Sequence, residues 1–343
     1  MSSDRTRKLF ITIFSILLLL ACQIPKPGIA VAPPSATATE MLPPTLTATI
    51  TATLPPTETP TPSATPTPVA RARRVVILSI DGMRPDAIPM VPMQNLLKLM
   101  QNGAYSNSAQ TTYPSVTLSG HASMLTGMCP SKHGVNWNDY MPENGYAQGT
   151  DLFDVAHAAG LRTYMFITKK KIGQITEPSS LDKLVFVNDR DTVLMDRLLD
   201  EFPEDFGLLF IHFGITDGMG ESYGWLSKQQ LSVLFRADQS LGRFLDALDE
   251  RGLRGETLII VTADHGGHDS THGSNSPEDM TIPWIASGAG VQPKPLTTLI
   301  HGMDTAATAA FALGLPIPQE WDGVPVYEAF GLPVERQSEA CTQ

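Results

Sequence analysis

The chain has 343 residues and a formal net charge of −11 at neutral pH. This excess of acidic residues argues against a surface for a nucleic acid duplex or an electrostatic attachment to anionic lipid. Residues 1–70 do not have the composition of a folded domain, which leaves residues 71–343 for one sizeable domain with a full core.

The first 22 residues have the layout of a secretory signal. A basic cluster with Arg5, Arg7 and Lys8 precedes an apolar run over residues 9–20, which is short for a membrane span. The run ends in LLAC, which resembles a bacterial lipobox, so residues 1–22 are predicted to be a lipoprotein-type signal peptide with lipid on Cys22. The protein would then be an extracytoplasmic lipoprotein of a bacterial cell membrane. An uncleaved anchor and an ordinary signal peptide are the alternatives.

Residues 23–70 are dominated by Pro, Thr, Ala and Ser, as in PPTLTATITATLPPTETPTPSATPTP. A segment with so few large apolar side chains cannot bury a core. Its prolines favour extended conformations. We therefore predict a disordered spacer between the membrane anchor and the domain.

The domain alternates short apolar runs with helical patterns. Five runs have the length and composition of strands that are buried on both faces, at residues 74–80, 161–167, 183–187, 206–213 and 257–263. The clearest helical pattern covers residues 227–251 and is followed by Gly252. This alternation predicts an α/β fold with a mainly parallel central sheet covered by helices on both faces.

Metal-ligating side chains follow three of the predicted strands. They are Asp81 after the first, Asp217 after the fourth and Asp264 with His265 after the fifth, and Glu221 and His272 follow closely in sequence. Ligands of such sheets bind beyond the carboxyl ends of the strands. Carboxylates together with imidazoles are the donor set of zinc or manganese, and an excess of carboxylates suits two neighbouring divalent ions.

The segment TYPSVTLSGHASMLTG at residues 112–127 supplies candidate nucleophiles. A Thr or Ser hydroxyl needs a base or a metal to become nucleophilic at neutral pH. A helix predicted to start at Thr117 and to end near Gly127 would add backbone N–H groups suited to a phosphate or sulfate oxygen. The residue pattern alone leaves several hydroxyls open.

These motifs resemble the type I phosphodiesterase/nucleotide pyrophosphatase branch of the alkaline phosphatase superfamily. The family signature TFPNHxxxxTG aligns with TLSGHASMLTG, which implies that Thr117 is the nucleophile. Thr112, in TYP, is a rival that would put the downstream TG out of register. Asn138 matches the asparagine that steadies a phosphoryl oxygen in this family. The resemblance further implies an alkaline-phosphatase-like sandwich.

The resemblance also implies two divalent ions, with zinc as the first expectation and manganese as the alternative. Their ligands would be Asp81, Thr117, Asp264 and His265 for one ion, and Asp217, Glu221 and His272 for the other. His268 is a reserve candidate for the last histidine. Glu221 stands where the family has histidine, so it either coordinates and adds a negative charge or lies outside a weak second site.

The implied function is hydrolysis of phosphodiester or pyrophosphate bonds in a small-molecule phosphate ester, with a nucleotide as one candidate, through a phospho-threonine intermediate. A phosphomonoesterase and a catalytically inactive, surface-tethered binding protein are the alternatives. The segment CPSKH at residues 129–133 lacks the C/S-x-P-x-R pattern of sulfatases. The KKK run at residues 169–171 has the composition of a solvated turn. Whether Cys129 and Cys341 pair in an oxidising compartment is left open.

Overall fold

The computed structural model describes residues 70–342. The predicted signal peptide, Cys22 and nearly all of the predicted spacer therefore lie outside the described residues. The described chain is organised around an eight-stranded sheet. Its strands are β1 (Arg74–Ile80), β2 (Gly103–Gln110), β3 (Arg162–Ile167), β4 (Lys183–Phe186), β5 (Phe206–Phe213), β6 (Thr257–Thr262), β7 (Thr281–Gly288) and β8 (Lys294–Pro295).

The strand order across the sheet is β4-β3-β5-β1-β6-β7-β2-β8. The first five strands in this order are mutually parallel, whereas β7 is antiparallel to both β6 and β2, and β8 is parallel to β2. The predicted mainly parallel sheet is thus confirmed, and all five strands that were predicted from apolar runs belong to its parallel part. The sequence pattern did not predict β2 and β7, which form the antiparallel part of the sheet.

The α-helices are α1 (Gln94–Gln101), α2 (Thr117–Thr126), α3 (Pro130–His133), α4 (Leu152–Ala158), α5 (Asp191–Asp200), α6 (Ile215–Tyr223), α7 (Lys228–Glu250), α8 (Pro277–Met280) and α9 (Asp304–Leu313). The helices α2, α4 and α9 contact one another, and α7 contacts α1, α5 and α6. Every residue of β5 and β6 is buried. Because successive strand side chains point to opposite faces, helices must cover both faces of the sheet.

The helix predicted at residues 227–251 is observed as α7. The Ser227 side chain accepts a hydrogen bond from the Gln230 N–H and so caps its start, and Gly252 follows its end with a φ of 67°. On α7, Asp238 accepts a hydrogen bond from the Leu96 N–H at 2.8 Å. Met93 offers no side-chain cap to α1, so Asp238 takes that role from a neighbouring helix and joins α7 to α1.

The C-terminal segment is tied to the domain by a disulfide between Cys129 and Cys341. This resolves the pairing that the sequence had left open. None of the helices within residues 70–342 combines the length and the apolar character that crossing a membrane requires.

Candidate active site

Three buried aspartates meet at one edge of the sheet. The register pairs Ile80 of β1 with Phe213 of β5, and it pairs Ser79 of β1 with Thr262 of β6, so the three strands end side by side. Asp81 follows β1, Asp217 lies in the first turn of α6 just after β5, and Asp264 follows β6. Their side chains are 0–3% exposed. So dense a group of buried carboxylates requires compensating positive charge.

The predicted ligands form two overlapping groups. In the first, one ligand atom from each of Asp81, Asp264 and His265 lies within 4.8 Å of the others, and in the second the same holds for Asp217, His265 and His272. The His265 and His272 rings stack with their centroids 3.9 Å apart. The structure therefore brings together five of the residues that the sequence singled out.

The two histidines present the same nitrogen to the carboxylates. His265 Nδ1 lies 2.7 Å from the Gly266 carbonyl oxygen, and His272 Nδ1 lies 2.9 Å from the Ser115 carbonyl oxygen. A carbonyl can only accept, so Nδ1 carries the proton in both rings. In the neutral rings, Nε2 then points an unshared electron pair towards carboxylates, which is unfavourable unless a cation lies between them.

Unpaired carboxylate oxygens and the Lys169 ammonium group also indicate that cations bind at this site. Asp81 Oδ1, Asp217 Oδ1 and Asp264 Oδ2 are buried and have no hydrogen-bond donor among the described residues. Lys169 Nζ lies 2.7 Å from Asp81 Oδ2 and 2.6 Å from Asp217 Oδ2. The carboxylate and imidazole donors at this site thus fit divalent metal ions, with a lysine ammonium supplying part of the charge that the carboxylates need.

The pKa values follow from this arrangement. Burial favours protonation of Asp81, but Lys169 and His212 outweigh it and hold the pKa of the Asp81 carboxyl well below its usual range. Burial disfavours a charged His265, yet the carboxylates of Asp264, Asp217 and Asp81 raise the pKa of its imidazole. The site therefore keeps the Asp81 carboxylate ionised and attracts positive charge to His265 Nε2.

The Thr117 hydroxyl contacts this group through His265 and Lys169. Thr117 is the first residue of α2, as predicted, and its Oγ1 lies 3.4 Å from His265 Nε2 and 3.5 Å from Lys169 Nζ. A Cβ on Gly120 would lie only 2.6 Å from the Asp264 carbonyl oxygen, so this glycine allows α2 to pack directly against the end of β6. The rival Thr112 instead donates a hydrogen bond to Ser123 Oγ at 3.1 Å.

Asn138 is held beside the start of α2. Its Oδ1 accepts a hydrogen bond from the Leu118 N–H at 2.9 Å and another from Lys171 Nζ at 3.0 Å. Because Oδ1 is occupied, the amide N–H groups of Asn138 are the part left to act as donors, and among residues 70–342 they have no hydrogen-bond acceptor. The side chain can therefore donate to an oxygen next to Thr117.

Two residues that were candidates for the second metal position, Glu221 and His268, do not lie among the buried ligands. Glu221 Oε1 lies 3.6 Å from His272 Nε2, but the Glu221 side chain is 54% exposed and sits at the rim of the group. His268, the reserve candidate, is directed away, because its Nδ1 pairs with Asp279 Oδ1 at 2.7 Å. His272, rather than His268, thus lies beside Asp217, at 3.7 Å.

Sequence reasoning missed several residues of this site. His212 Nε2 lies 3.0 Å from Asp81 Oδ2, and burial lowers the His212 pKa to about 4, so the neutral ring donates to that carboxylate. The signal was a polar residue within the apolar run FGLLFIHF. His121 bridges Ser79 Oγ and the Thr117 carbonyl oxygen, each at 2.8 Å. Lys169 was predicted to lie in a solvated turn, which is wrong, because it contacts the buried carboxylates.

The fold and the site define a class of protein: an alkaline-phosphatase-like α/β domain with a hydroxyl nucleophile candidate beside two possible metal positions. The family model for "Type I phosphodiesterase / nucleotide pyrophosphatase" matches residues 75–278. The chain belongs to this family.

Relatives and solved structures agree with this assignment. Mouse ectonucleotide pyrophosphatase/phosphodiesterase family member 7 is 24% identical over 228 residues, which cover 58% of this chain and 51% of the relative. The chain thus spans about half the length of that relative. The structure of murine ectonucleotide pyrophosphatase/phosphodiesterase 5 has a TM-score of 0.64 at 15% identity, covering 76% of this chain and 99% of the other.

Two further structures fit the same fold. One is an inactive threonine-to-alanine variant of murine ectonucleotide pyrophosphatase/phosphodiesterase 5 in complex with AMP, at the same TM-score of 0.64, 15% identity and coverage of 76% and 99%. The other is a substituted variant of the alkaline phosphatase PafA, with a TM-score of 0.63 at 14% identity and coverage of 76% of this chain and 99% of the other. The predicted alkaline-phosphatase-like fold is thus confirmed.

Proposed function

We propose that the protein is a metal-dependent hydrolase that cleaves phosphodiester or pyrophosphate bonds through a covalent phospho-threonine intermediate at Thr117. The observation that carries this proposal is the Thr117 hydroxyl at the start of α2, 3.4 Å from Nε2 of His265, the residue that belongs to both groups of possible metal ligands. Family membership supports the reaction class. The AMP complex of an inactive threonine variant of a structural neighbour favours a nucleotide among the candidate substrates.

The residues that would hold two divalent ions are those proposed from the sequence. Asp81, Asp264, His265 and Thr117 would hold one ion, and Asp217 and His272 would hold the other, with Glu221 at its rim. When bound, such ions offset the carboxylate charge, lower the pKa of the hydroxyl and stabilise negative charge on phosphoryl and leaving-group oxygens. Zinc is proposed first, because two imidazoles are present, and manganese is the alternative.

The reaction proceeds in two displacements. In the first, Thr117 gives its hydroxyl proton to solvent and forms an Oγ–P bond while the bond from phosphorus to the leaving oxygen breaks on the opposite side, and the leaving group departs as its oxyanion or takes a proton from solvent. In the second, water attacks phosphorus, the Thr117–P bond breaks and the hydroxyl is restored. The Asn138 amide and the backbone N–H of Thr117, the first residue of α2, donate to the non-bridging oxygens in both steps.

Hydrolysis assays test this function. The full-length chain supplied with Zn²⁺ or Mn²⁺ is expected to hydrolyse bis(4-nitrophenyl) phosphate. Hydrolysis of 4-nitrophenyl phosphate alone would favour the monoesterase alternative. Turnover of neither ester with either metal would contradict the proposal and favour a binding protein that has kept the fold.

The role of Glu221 gives a separate prediction. If Glu221 coordinates, it adds a carboxylate to the second metal position. Carboxylate oxygens are harder donors than imidazole, so manganese should support more activity, relative to zinc, than it would with histidine at this position. We expect Glu221→His to shift the ratio of Mn²⁺-supported to Zn²⁺-supported activity towards zinc by about tenfold. The measurement is the activity of both chains over a titration of each metal. Identical profiles would show that Glu221 does not contribute to the second position.

We further propose that the domain works outside the cytoplasm, tethered through lipid on Cys22. Two observations support this location: the LLAC segment and the disulfide between Cys129 and Cys341, a bond that persists in oxidising compartments. Mass spectrometry of the N-terminal peptide from cells should detect an acylated Cys22. An unmodified N-terminal Met1 would contradict the lipoprotein proposal.

A further inference from the structure

A buried tryptophan contacts several of the segments that carry the candidate metal ligands. Trp225 lies two residues after the end of α6 and is 8% exposed. Its indole Nε1 donates a hydrogen bond to the carbonyl oxygen of Gly82, the residue after Asp81, at 2.9 Å. Its ring is tilted by 59° against the His272 ring, with the centroids 5.8 Å apart. Trp225 thus links the segment after β1 to the last histidine of the second ligand group.

Two glycines make room for this indole. A Cβ on Gly267 would lie 2.1 Å from Trp225 Cε2, and a Cβ on Gly220 would lie 2.8 Å from Trp225 Cδ2. Gly220 belongs to α6, three residues after Asp217, and Gly267 follows His265 by two residues. The indole therefore packs directly against the backbone of two more segments that carry predicted ligands.

The backbone around Trp225 has an unusual conformation. Within residues 70–342, Leu226 and Asp269 are the two non-glycine residues with a positive φ, at 62° and 45°. Leu226 follows Trp225, and the Asp269 carbonyl oxygen accepts a hydrogen bond from the Trp225 N–H at 2.7 Å. The Leu226 N–H is in turn bound by Gln230 Oε1 at 2.7 Å. Non-glycine residues keep such a conformation only where the surrounding contacts hold them, so the fold fixes the position of the indole.

The second ligand group depends on the orientation of His272. Its Nδ1 donates to a backbone carbonyl, so Nε2 is the atom that faces Asp217, at 3.7 Å. The Glu221 side chain is 54% exposed and contributes little to holding the imidazole in place. The stacked His265 ring and the tilted Trp225 ring are aromatic neighbours of His272. The direction of Nε2 therefore depends on rings that are not themselves part of the His272 loop.

We propose that Trp225 is a positioning residue of the second metal position, whose indole holds the His272 imidazole so that Nε2 faces an ion beside Asp217. This inference rests on the proposed function, because it concerns the second of the two ions. Contacts that orient a metal ligand typically change metal affinity about 10- to 100-fold. The first position should depend less on Trp225, because its ligand Asp81 is also held by Lys169.

Metal affinity tests the role of Trp225. Zn²⁺ is titrated into the metal-free, full-length chain in competition with a chromophoric chelator, and two Kd values are fitted. The value that rises in Asp217→Asn belongs to the second position, because Asp217 is a member of that ligand group alone. Trp225→Phe removes the indole N–H and part of the ring. It is expected to raise the second Kd about tenfold and to leave the first within about threefold.

Trp321→Phe is the matched control. Trp321 is likewise a buried tryptophan, its Nε1 donates to the Thr150 carbonyl oxygen at 2.8 Å, and its ring packs on Gly127. It lies outside both ligand groups, so Trp321→Phe removes comparable contacts and should change neither Kd. Unchanged Kd values in Trp225→Phe would overturn the proposal. An equal rise of the second Kd in both variants would do the same, because it would reflect a general loss of packing.

Gly267→Ala tests the same contact from the other side. The added methyl group must displace the indole, so we expect the second Kd to rise about tenfold. In a Trp225→Ala chain the methyl group has room, and Gly267→Ala should there change the second Kd less than about threefold. Equal effects of Gly267→Ala in both chains would contradict the proposal. If the Trp225 variants did not fold, an unchanged second Kd in Gly267→Ala would still overturn it.

A spectroscopic measurement reports the ligand geometry itself. In the Co²⁺-substituted chain, the visible absorption bands of the second equivalent should change in Trp225→Phe and stay the same in Trp321→Phe. Identical spectra of the native chain and Trp225→Phe would contradict the positioning role. None of these measurements requires turnover. If the native chain bound two ions but hydrolysed neither ester, the proposed function would fail and the role of Trp225 would still be decided. A native chain that bound a single ion would overturn the role of Trp225.

Discussion

Replacement of Thr117 by alanine is expected to lower kcat/KM for bis(4-nitrophenyl) phosphate by about 10⁴-fold or more. The physical reason is that the hydroxyl forms the covalent bond to phosphorus, whereas the hydroxyls of Thr112 and Ser115 in the same segment are engaged elsewhere. Thr112 donates to Ser123, and Ser115 Oγ donates to the Ser274 carbonyl oxygen at 2.7 Å. The measurement is initial-rate kinetics of the metal-loaded, full-length variant beside the native chain.

Thr112→Ala is the matched control, because it removes the same hydroxyl from the rival position of the same segment. It should lose one hydrogen bond to Ser123 and retain the chemistry, with kcat/KM within about tenfold of the native value. If Thr112→Ala abolished activity while Thr117→Ala preserved it, the assignment of the nucleophile would be wrong. Equal melting temperatures of the two variants would exclude unfolding as the cause.

Removal of divalent metal should abolish hydrolysis and lower the melting temperature. Without ions, Lys169 contacts the buried carboxylates of Asp81 and Asp217. One oxygen of each of these two aspartates and one of Asp264 lack a hydrogen-bond donor among the described residues. Saturating Zn²⁺ or Mn²⁺ binds only the folded chain and should stabilise it by about 3 kcal/mol per site at a hundredfold excess over Kd. This corresponds to a rise in Tm of about 5 to 10 °C.

The measurement is thermal unfolding and activity after treatment with a chelator and again after metal is restored. Asp264→Asn should lose the part of the metal-dependent rise in Tm that comes from the first site, since Asp264 belongs to the first ligand group alone. Asp304→Asn is the control: this buried aspartate accepts from the Val324 and His301 N–H groups and lies outside both ligand groups, so it should keep the response. Full activity and an unchanged Tm in the chelated native chain would rule out the metal-dependent mechanism.

The parts of the fold that could be predicted are those in which local composition determines structure. The runs RVVILSI and TLIIVT are continuous and apolar because β1 and β6 are buried on both faces. In contrast, β2 reads GAYSNSAQ and contains exposed polar residues, and β7 contains Pro283, so neither has the apolar pattern of a buried strand. Their antiparallel pairing depends on contacts distant in sequence, which a local pattern does not encode.

The same distinction applies to the site. Asp81, Asp264 and His265 could be found because each follows a recognisable strand and parallel strands end at a common edge. The role of Lys169 could not, because a run of lysines has the same composition whether it is solvated or packed against buried carboxylates. Only the three-dimensional arrangement shows that Lys169 and Lys171 are directed inward while Lys170 is exposed.

The proposed function depends on the covalent intermediate at Thr117, and trapping that intermediate tests the function at the reacting atom. The full-length, zinc-loaded chain is mixed with substrate, quenched in acid within milliseconds and digested for mass spectrometry. We expect a phosphorylated or phosphoester-bearing peptide with the modification on Thr117, absent from Thr117→Ala. A modification on Thr112, or turnover with no modified residue at any quench time, would contradict the proposed function.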